Sequence, residues 1–286
     1  MNPSGTAAGL GLTAAASWGG SDFVGGLGSR RAPALLVVVS GHLITLFVLL
    51  AICLGARLAL PGKHDLFLAA LGGFEGALCL ALFYRALAMG AMGLTAALTG
   101  LLTALVPVLF SLFYYGLPTR LTALGLATGL AAIWLITHSP AARGAGEDGE
   151  STPPAALLLG ALAGVGFGAQ LILFKLAGDG SILWVMTSAR AAGVAAMLLV
   201  LLIVPPTRPW RGFWVFGILA GSLDTLGNLL YIQTTRLGRL DVAAMVCSLY
   251  PASTILLAAL VLREWPTRRQ FAGIGLALAA VALLSV

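Results

Sequence analysis

Ten times along this chain, a run of about 20 residues passes with almost no charge. Each run is long enough to cross ~30 Å of hydrocarbon as a helix. The runs cover roughly 6–27, 34–56, 66–89, 92–115, 119–138, 155–176, 182–204, 212–236, 240–262 and 268–286. Alanine, leucine and 37 glycines fill them without the alternation of a barrel strand, so helices are expected. A helix in lipid satisfies its own backbone, and glycine lets neighbouring backbones approach closely. Composition agrees. Only 9% of the residues are charged and the mean hydropathy is +1.01, where soluble domains carry roughly 25% charge. Such a chain cannot clothe a globular surface, and it reads as an all-α integral membrane protein.

The net charge of +6 does not point to nucleic acid, because the basic residues lie mainly in short loops between runs. Cys53, Cys79 and Cys247 fall inside runs without metal spacing, so neither a disulfide nor a metal is expected. No Lys or Arg precedes the first run, which is also too long for the apolar core of a signal peptide. That run is therefore expected to be retained as a span.

One long polar segment, "HSPAARGAGEDGESTPP", interrupts the pattern near the middle of the chain and reads as a linker over 139–154. The flanking halves, 1–138 and 155–286, look alike. "LPTRLTALGLATGLAAIWL" around Pro118 matches "WPTRRQFAGIGLALAAVAL" around Pro266, 148 positions on. The same spacing pairs Gly125 with Gly273, Gly90 with Gly238 and His42 with Arg190. A spacing of 149 pairs "SWGGS" (17–21) with "GFGAQ" (166–170). Each half then holds five helices. An odd number starts on one face of the membrane and ends on the other, so the second half is expected to be inverted. The expected architecture is ten transmembrane helices as two inverted five-helix repeats around a central cavity. Charge does not orient it: with cytoplasmic termini, six basic residues fall in inside loops and eight in outside loops.

Ionisable residues within spans are costly and mostly face a cavity or one another. Asp22 stands in "SWGGSDFVGG", one turn from Trp18. It lies about 9 Å beyond the midpoint of its run, which suggests a cavity mouth or a helix contact. Glu75 and Asp224 lie near mid-depth, beyond the reach of snorkelling. The competing reading is a buried carboxyl held by a neighbouring helix. Asp224, Asn228 and Tyr231 are spaced i, i+4, i+7 on one helix face. Thr95, Thr99, Thr103 and Pro107 form a stripe that serves either a cavity or interhelical packing. Pro251 frees a backbone carbonyl in mid-span, with Tyr250 beside it. Lys175, Arg85 and Arg236 are expected to snorkel to headgroups. Three acids (Asp22, Glu75, Asp224) then face two arginines, Arg85 and Arg190, so at least one acid is expected to exchange a proton.

"WGGSDFVGG", "LFYRALAMG" and "SLYPASTILLAALVLREWPTRRQFAGIGLAL" resemble the drug/metabolite transporter superfamily, in its ten-helix EamA-type branch. The resemblance implies a basket of ten helices around a central cavity, with cytoplasmic termini. It further implies transport of metabolites, amino acids or drugs, with the first helix lining the cavity and Tyr84 inside the second motif. The halves depart from the pattern differently. The family's acidic residue is Glu264 in the second half, but Gly116 stands at the equivalent place in the first. The family's proline is Pro251, and its equivalent is Thr103.

The expected function is secondary active transport of a small polar or amphipathic metabolite, such as an amino acid, by an exporter coupled to protons. A multidrug or organic-cation efflux pump is the alternative within transport. A membrane-embedded enzyme or a sensor is the alternative outside it. No GxxxxGKS, HExxH, GxSG or GxGD motif occurs, so neither an ATP site nor these hydrolytic centres is expected, nor any cofactor. The expected partners are the substrate, the lipid bilayer and protons, in a bacterial inner membrane, as a monomer or homodimer. The substrate-binding candidates are Trp18, Asp22, Glu75, Tyr84, Arg190, Asp224, Asn228, Tyr231, Tyr250 and Pro251.

Overall fold

The structure, a computed structural model, describes residues 3–89, 92–137, 153–178, 180–205, 212–262 and 267–284. Among them every regular element is helical. The first half holds α1 (Pro3–Arg31), α2 (Ala34–Gly55), α3 (Lys63–Met89), α4 (Met92–Tyr114) and α5 (Arg120–Thr137). The second holds α6 (Pro154–Leu176), α7 (Ile182–Ile203), α8 (Phe213–Leu237), α9 (Leu240–Cys247), α10 (Tyr250–Leu257) and α11 (Arg268–Leu284). A π-helical turn, Ala258–Leu262, continues α10. Ten rods thus match the ten apolar runs within a few residues, with the ninth broken in its middle. Residues 139–152 of the expected linker, Gly90 and Glu264 lie outside the described residues. Pro154, placed in the linker by composition, is the first residue of α6, where a proline's missing N–H costs nothing.

Among the described residues, six helices are long and apolar enough to cross a membrane: α2, α3, α6, α7, α8 and the broken rod Leu240–Val261. Leu98–Tyr114 and Arg120–Leu135 are apolar but shorter. In α1, glycines, serines and Asp22 lower the hydropathy, and from Gly11 to Gly28 most of those residues are turned towards other helices.

The halves interlock rather than sit side by side. Helix α1 packs along α8 and α10, while α3 packs along α6 and α7; α5 packs on α11 and α2 on α7. Glycine makes the closest approaches possible. A Cβ on Gly73 would fall 2.1 Å from the Ala189 carbonyl oxygen, and one on Gly221 would fall 2.4 Å from the Gly41 Cα. These two contacts correspond, since Gly41 and Ala189 are 148 apart, as are Gly73 and Gly221. Polar contacts repeat the correspondence. Ser21 donates to the Ala220 carbonyl (2.9 Å), and Gln170 Nε2 donates to the Gly72 carbonyl (3.0 Å). Ser21 and Gln170 are 149 apart, and Gly72 and Ala220 are 148 apart. Where residue i meets j, the mate of i meets the mate of j.

The break in the ninth rod falls between Cys247 and Tyr250, just before Pro251, whose ring cannot donate to the ladder. Cys53, Cys79 and Cys247 are buried free thiols in α2, α3 and α9. Lys175 and Arg236 do not snorkel: Lys175 donates to the Thr235 carbonyl, and Arg236 to those of Gly178 and Gly180. These cations tie down the backbone where α6 ends beside α8. Between α8 and α9, Arg239 forks onto the fully buried Asp241 carboxylate, and those hydrogen bonds raise the pKa of its guanidinium.

Candidate functional site

A cavity opens where the halves meet, with about 40 Å³ available to the centres of water molecules. That is room for roughly three waters at ~10–15 Å³ each. Two pairs of helices form its opposing walls. From α1 and α8 come Trp18, Asp22, Asp224 and Asn228; from α3 and α6 come Leu80, Phe167, Gln170 and Leu171. Thr103 of α4 and Tyr250, at the break in the ninth rod, close the gap between them.

Asp22 is 7% exposed and lines the cavity. Among the described residues, none donates a hydrogen bond to the Asp22 carboxylate and no cation pairs with it. Asp224 is the opposite case. Its Oδ2 lies 2.5 Å from Arg190 Nη2, with both side chains largely buried. Arg190 Nη1 in turn donates to His42 Nε2 (2.9 Å), and His42 Nδ1–H donates to the Val38 carbonyl (3.1 Å). This relay requires the neutral Nδ1–H tautomer of His42. His42 and Arg190, repeat mates from sequence, therefore touch. Buried charges survive when paired and hydrogen-bonded, and Asp224 is paired where Asp22 is not.

Asn228 continues the wall. Its Nδ2 donates to the Asp224 carbonyl (2.8 Å) and to Asp224 Oδ1 (3.2 Å), leaving its Oδ1 buried without a donor. Gln170, facing it, spends its Nε2 on the Gly72 carbonyl. It fits because Gly76 has no side chain: a Cβ there would fall 1.8 Å from Gln170 Nε2. Gly76 is the repeat mate of Asp224, so an amide fills the space where the other half carries a carboxylate.

Five other residues singled out by sequence stand outside the cavity lining. Glu75 is half-buried between α3 and α6, close to Gly166; Cys79 Sγ–H points to its Oε1 (3.7 Å) and its Oε2 has no partner. Tyr84, fully buried, donates to Ser21 Oγ (2.9 Å) and braces α1 against α3. Arg190 lies behind Asp224. Tyr231 donates to the Leu171 carbonyl (2.8 Å), and its ring centroid lies 5.9 Å from that of Trp18. Pro251 packs on Gly100. Arg85 is exposed and pairs with no acid. Thr99 and Thr103 donate across to the Gly160 and Gly164 carbonyls of α6, so the threonine stripe serves as interhelical glue, with Thr103 also lining the cavity.

Four lining residues went unread in the sequence: Leu80, Phe167, Gln170 and Leu171. The repeat could have found them. Phe167, Gln170 and Leu171 are the mates of Trp18, Ser21 and Asp22 at a spacing of 149, and Leu80 is the mate of Asn228 at 148.

The model of the EamA-like transporter family matches residues 154–286. That family is one of transporters rather than enzymes, and the apolar helices of this chain point to a multi-pass membrane protein. One crystal structure is similar to 97% of this chain and 95% of its own, with a TM-score of 0.72 and 21% identity. At that identity the likeness is one of fold. It extends beyond the EamA-like half to both halves. No curated protein matches the chain in sequence.

Proposed function

We propose that this EamA-like protein is a secondary active transporter that exports a small metabolite by alternating access through the cavity between α1, α3, α6 and α8. Its two units are the repeats 1–138 and 155–286, joined by the linker 139–154 and inverted relative to each other. The reciprocal contacts support that arrangement, because a two-fold relation makes every contact between halves occur twice. The odd helix count per half supports inversion. Rocking one half against the other would expose the cavity to each side in turn. Both walls come from one chain, so a single copy carries the site, alone or in a homodimer. Cytoplasmic termini in a bacterial inner membrane complete the reading.

The observation that carries it is Asp22. A carboxylate in an apolar, largely buried position without cation or donor is costly. Either a proton or a cationic group on a ligand relieves that cost, and one carboxylate holds only one of them at a time. Proton entry in exchange for substrate exit follows from that exclusivity. The test uses purified full-length protein in sealed liposomes, with a metabolite panel and an imposed pH gradient. The expected result is gradient-driven substrate flux with matching proton movement, both absent in Asp22→Asn. Flux at an unchanged rate after a protonophore collapses the gradient would exclude proton coupling; no flux for any metabolite would exclude transport.

A further inference from the structure

The cavity's hydrogen-bonding inventory is lopsided. Most of its amide N–H groups are spent on the protein: both of those on Asn228 Nδ2 go to Asp224, and one of the two on Gln170 Nε2 goes to Gly72. The oxygens of the same amides take nothing. Asn228 Oδ1 is buried without a donor, and among the described residues no group donates to Gln170 Oε1 or to the Asp22 carboxylate. The one cation close by, Arg190, is engaged by Asp224 and His42. Asp224 and Arg190 cancel, which leaves the cavity one negative charge, on Asp22. The donors that remain, the Trp18 indole, the Tyr250 hydroxyl and the second N–H of Gln170, are neutral.

Such a site suits a ligand that brings its own N–H groups and a positive charge. It offers no cation to a carboxylate, so an anion or a zwitterionic amino acid would leave an acid group facing Asp22. A quaternary ammonium would supply charge but no N–H, leaving the amide oxygens unpaired. The opposite wall is apolar at Leu80, Phe167 and Leu171. Resting on the transport reading above, we propose that the substrate is a small primary amine in its ammonium form. Its head is held by Asp22 and Asn228, and its hydrocarbon body lies on Leu80, Phe167 and Leu171. The size of the cavity fits a body of only a few carbons.

The test is calorimetric titration of the purified full-length protein at neutral pH with propylamine, propyltrimethylammonium and propionate. Propylamine is expected to bind saturably, propionate not at all, and the quaternary ion about tenfold or more weaker than propylamine. Asp22→Asn, which removes the charge but keeps the shape, is expected to weaken propylamine by at least about tenfold with an unchanged melting temperature. Saturable propionate binding, equal affinity for the quaternary ion, wild-type affinity in Asp22→Asn, or no saturable propylamine heat would each overturn the assignment. Flux in liposomes separates the two readings. Amine binding without flux sinks transport and leaves the assignment; flux of a carboxylate metabolite without amine binding does the reverse.

Discussion

The α1–α8 wall and the α3–α6 wall each take one helix from either half, and the repeat spacing pairs α1 with α6 and α8 with α3, yet the two walls differ chemically. Trp18 corresponds by spacing to Phe167, Asp22 to Leu171, and Asn228 to Leu80, and all six line the cavity. At the fourth pair, Asp224 corresponds to Gly76, into whose space Gln170 folds. Backbone packing is conserved between the walls, as the paired contacts Ser21–Ala220 and Gln170–Gly72 demonstrate. Side-chain polarity is not. A duplicated frame can therefore give each half the same route past the other while concentrating the charge on one side. A ligand in such a cavity meets a polar surface on one flank and an oily one on the other.

Four changes would break or sharpen that contrast. The largest effect is expected from Asp22→Asn, which makes the polar wall as uncharged as its mate. Coupled flux should fall to background while thermal stability holds, because Asp22 has no protein partner to lose. Wild-type flux in that variant would mean that the contrast has no part in transport.

Next comes Arg190→Met, which leaves Asp224 buried without its cation. Breaking a buried pair on one side costs about 3–5 kcal/mol, whereas removing both charges costs far less. Thermal unfolding should thus be strongly lowered in Arg190→Met and largely restored when Asp224→Asn is added. An unfolding midpoint indifferent to Arg190 would show that the relay through His42 does not hold this wall together.

The last two changes apply one substitution to each wall. Gly227→Ala would bring a Cβ to 2.5 Å from the Trp18 indole, a rigid ring with nowhere to go. It should destabilise by about 1–3 kcal/mol, as overpacking does. Gly76→Ala meets only the flexible end of Gln170. There, loss of one hydrogen bond of about 1 kcal/mol is offset by a gain in helix propensity of similar size. The melting temperature should hardly move, which makes it the smallest effect of the four. If the two alanines cost the same, the walls do not differ in rigidity.

Much of the fold was legible in the sequence because a bilayer leaves few choices. Runs of about 20 apolar residues become helices, since nothing else satisfies the backbone in hydrocarbon, and the rods follow those runs closely. Pro251 announced the break in the ninth rod. Asp22, Asp224, Asn228 and Tyr250 stood out as cavity residues because polar groups in spans need a reason to be there. Leu80, Phe167 and Leu171 did not stand out, since an apolar residue in an apolar run carries no signal of its facing.

The sequence by itself determined that this chain is built from many apolar, membrane-length runs, that its two halves share residue spacings, and which few ionisable groups lie within those runs. All three follow from composition, spacing and the cost of charge in oil. Which acid is paired and which is bare was decided only by the tertiary structure. Arg190 is 34 positions from Asp224, and Asp22 far from both, so only helix packing could give the arginine to one carboxylate and withhold it from the other. The same packing turned Glu75 and Tyr84 away from the cavity and brought Gln170 into the space left by Gly76. Spacing along a helix fixes which residues share a face; what that face meets depends on the helices beside it.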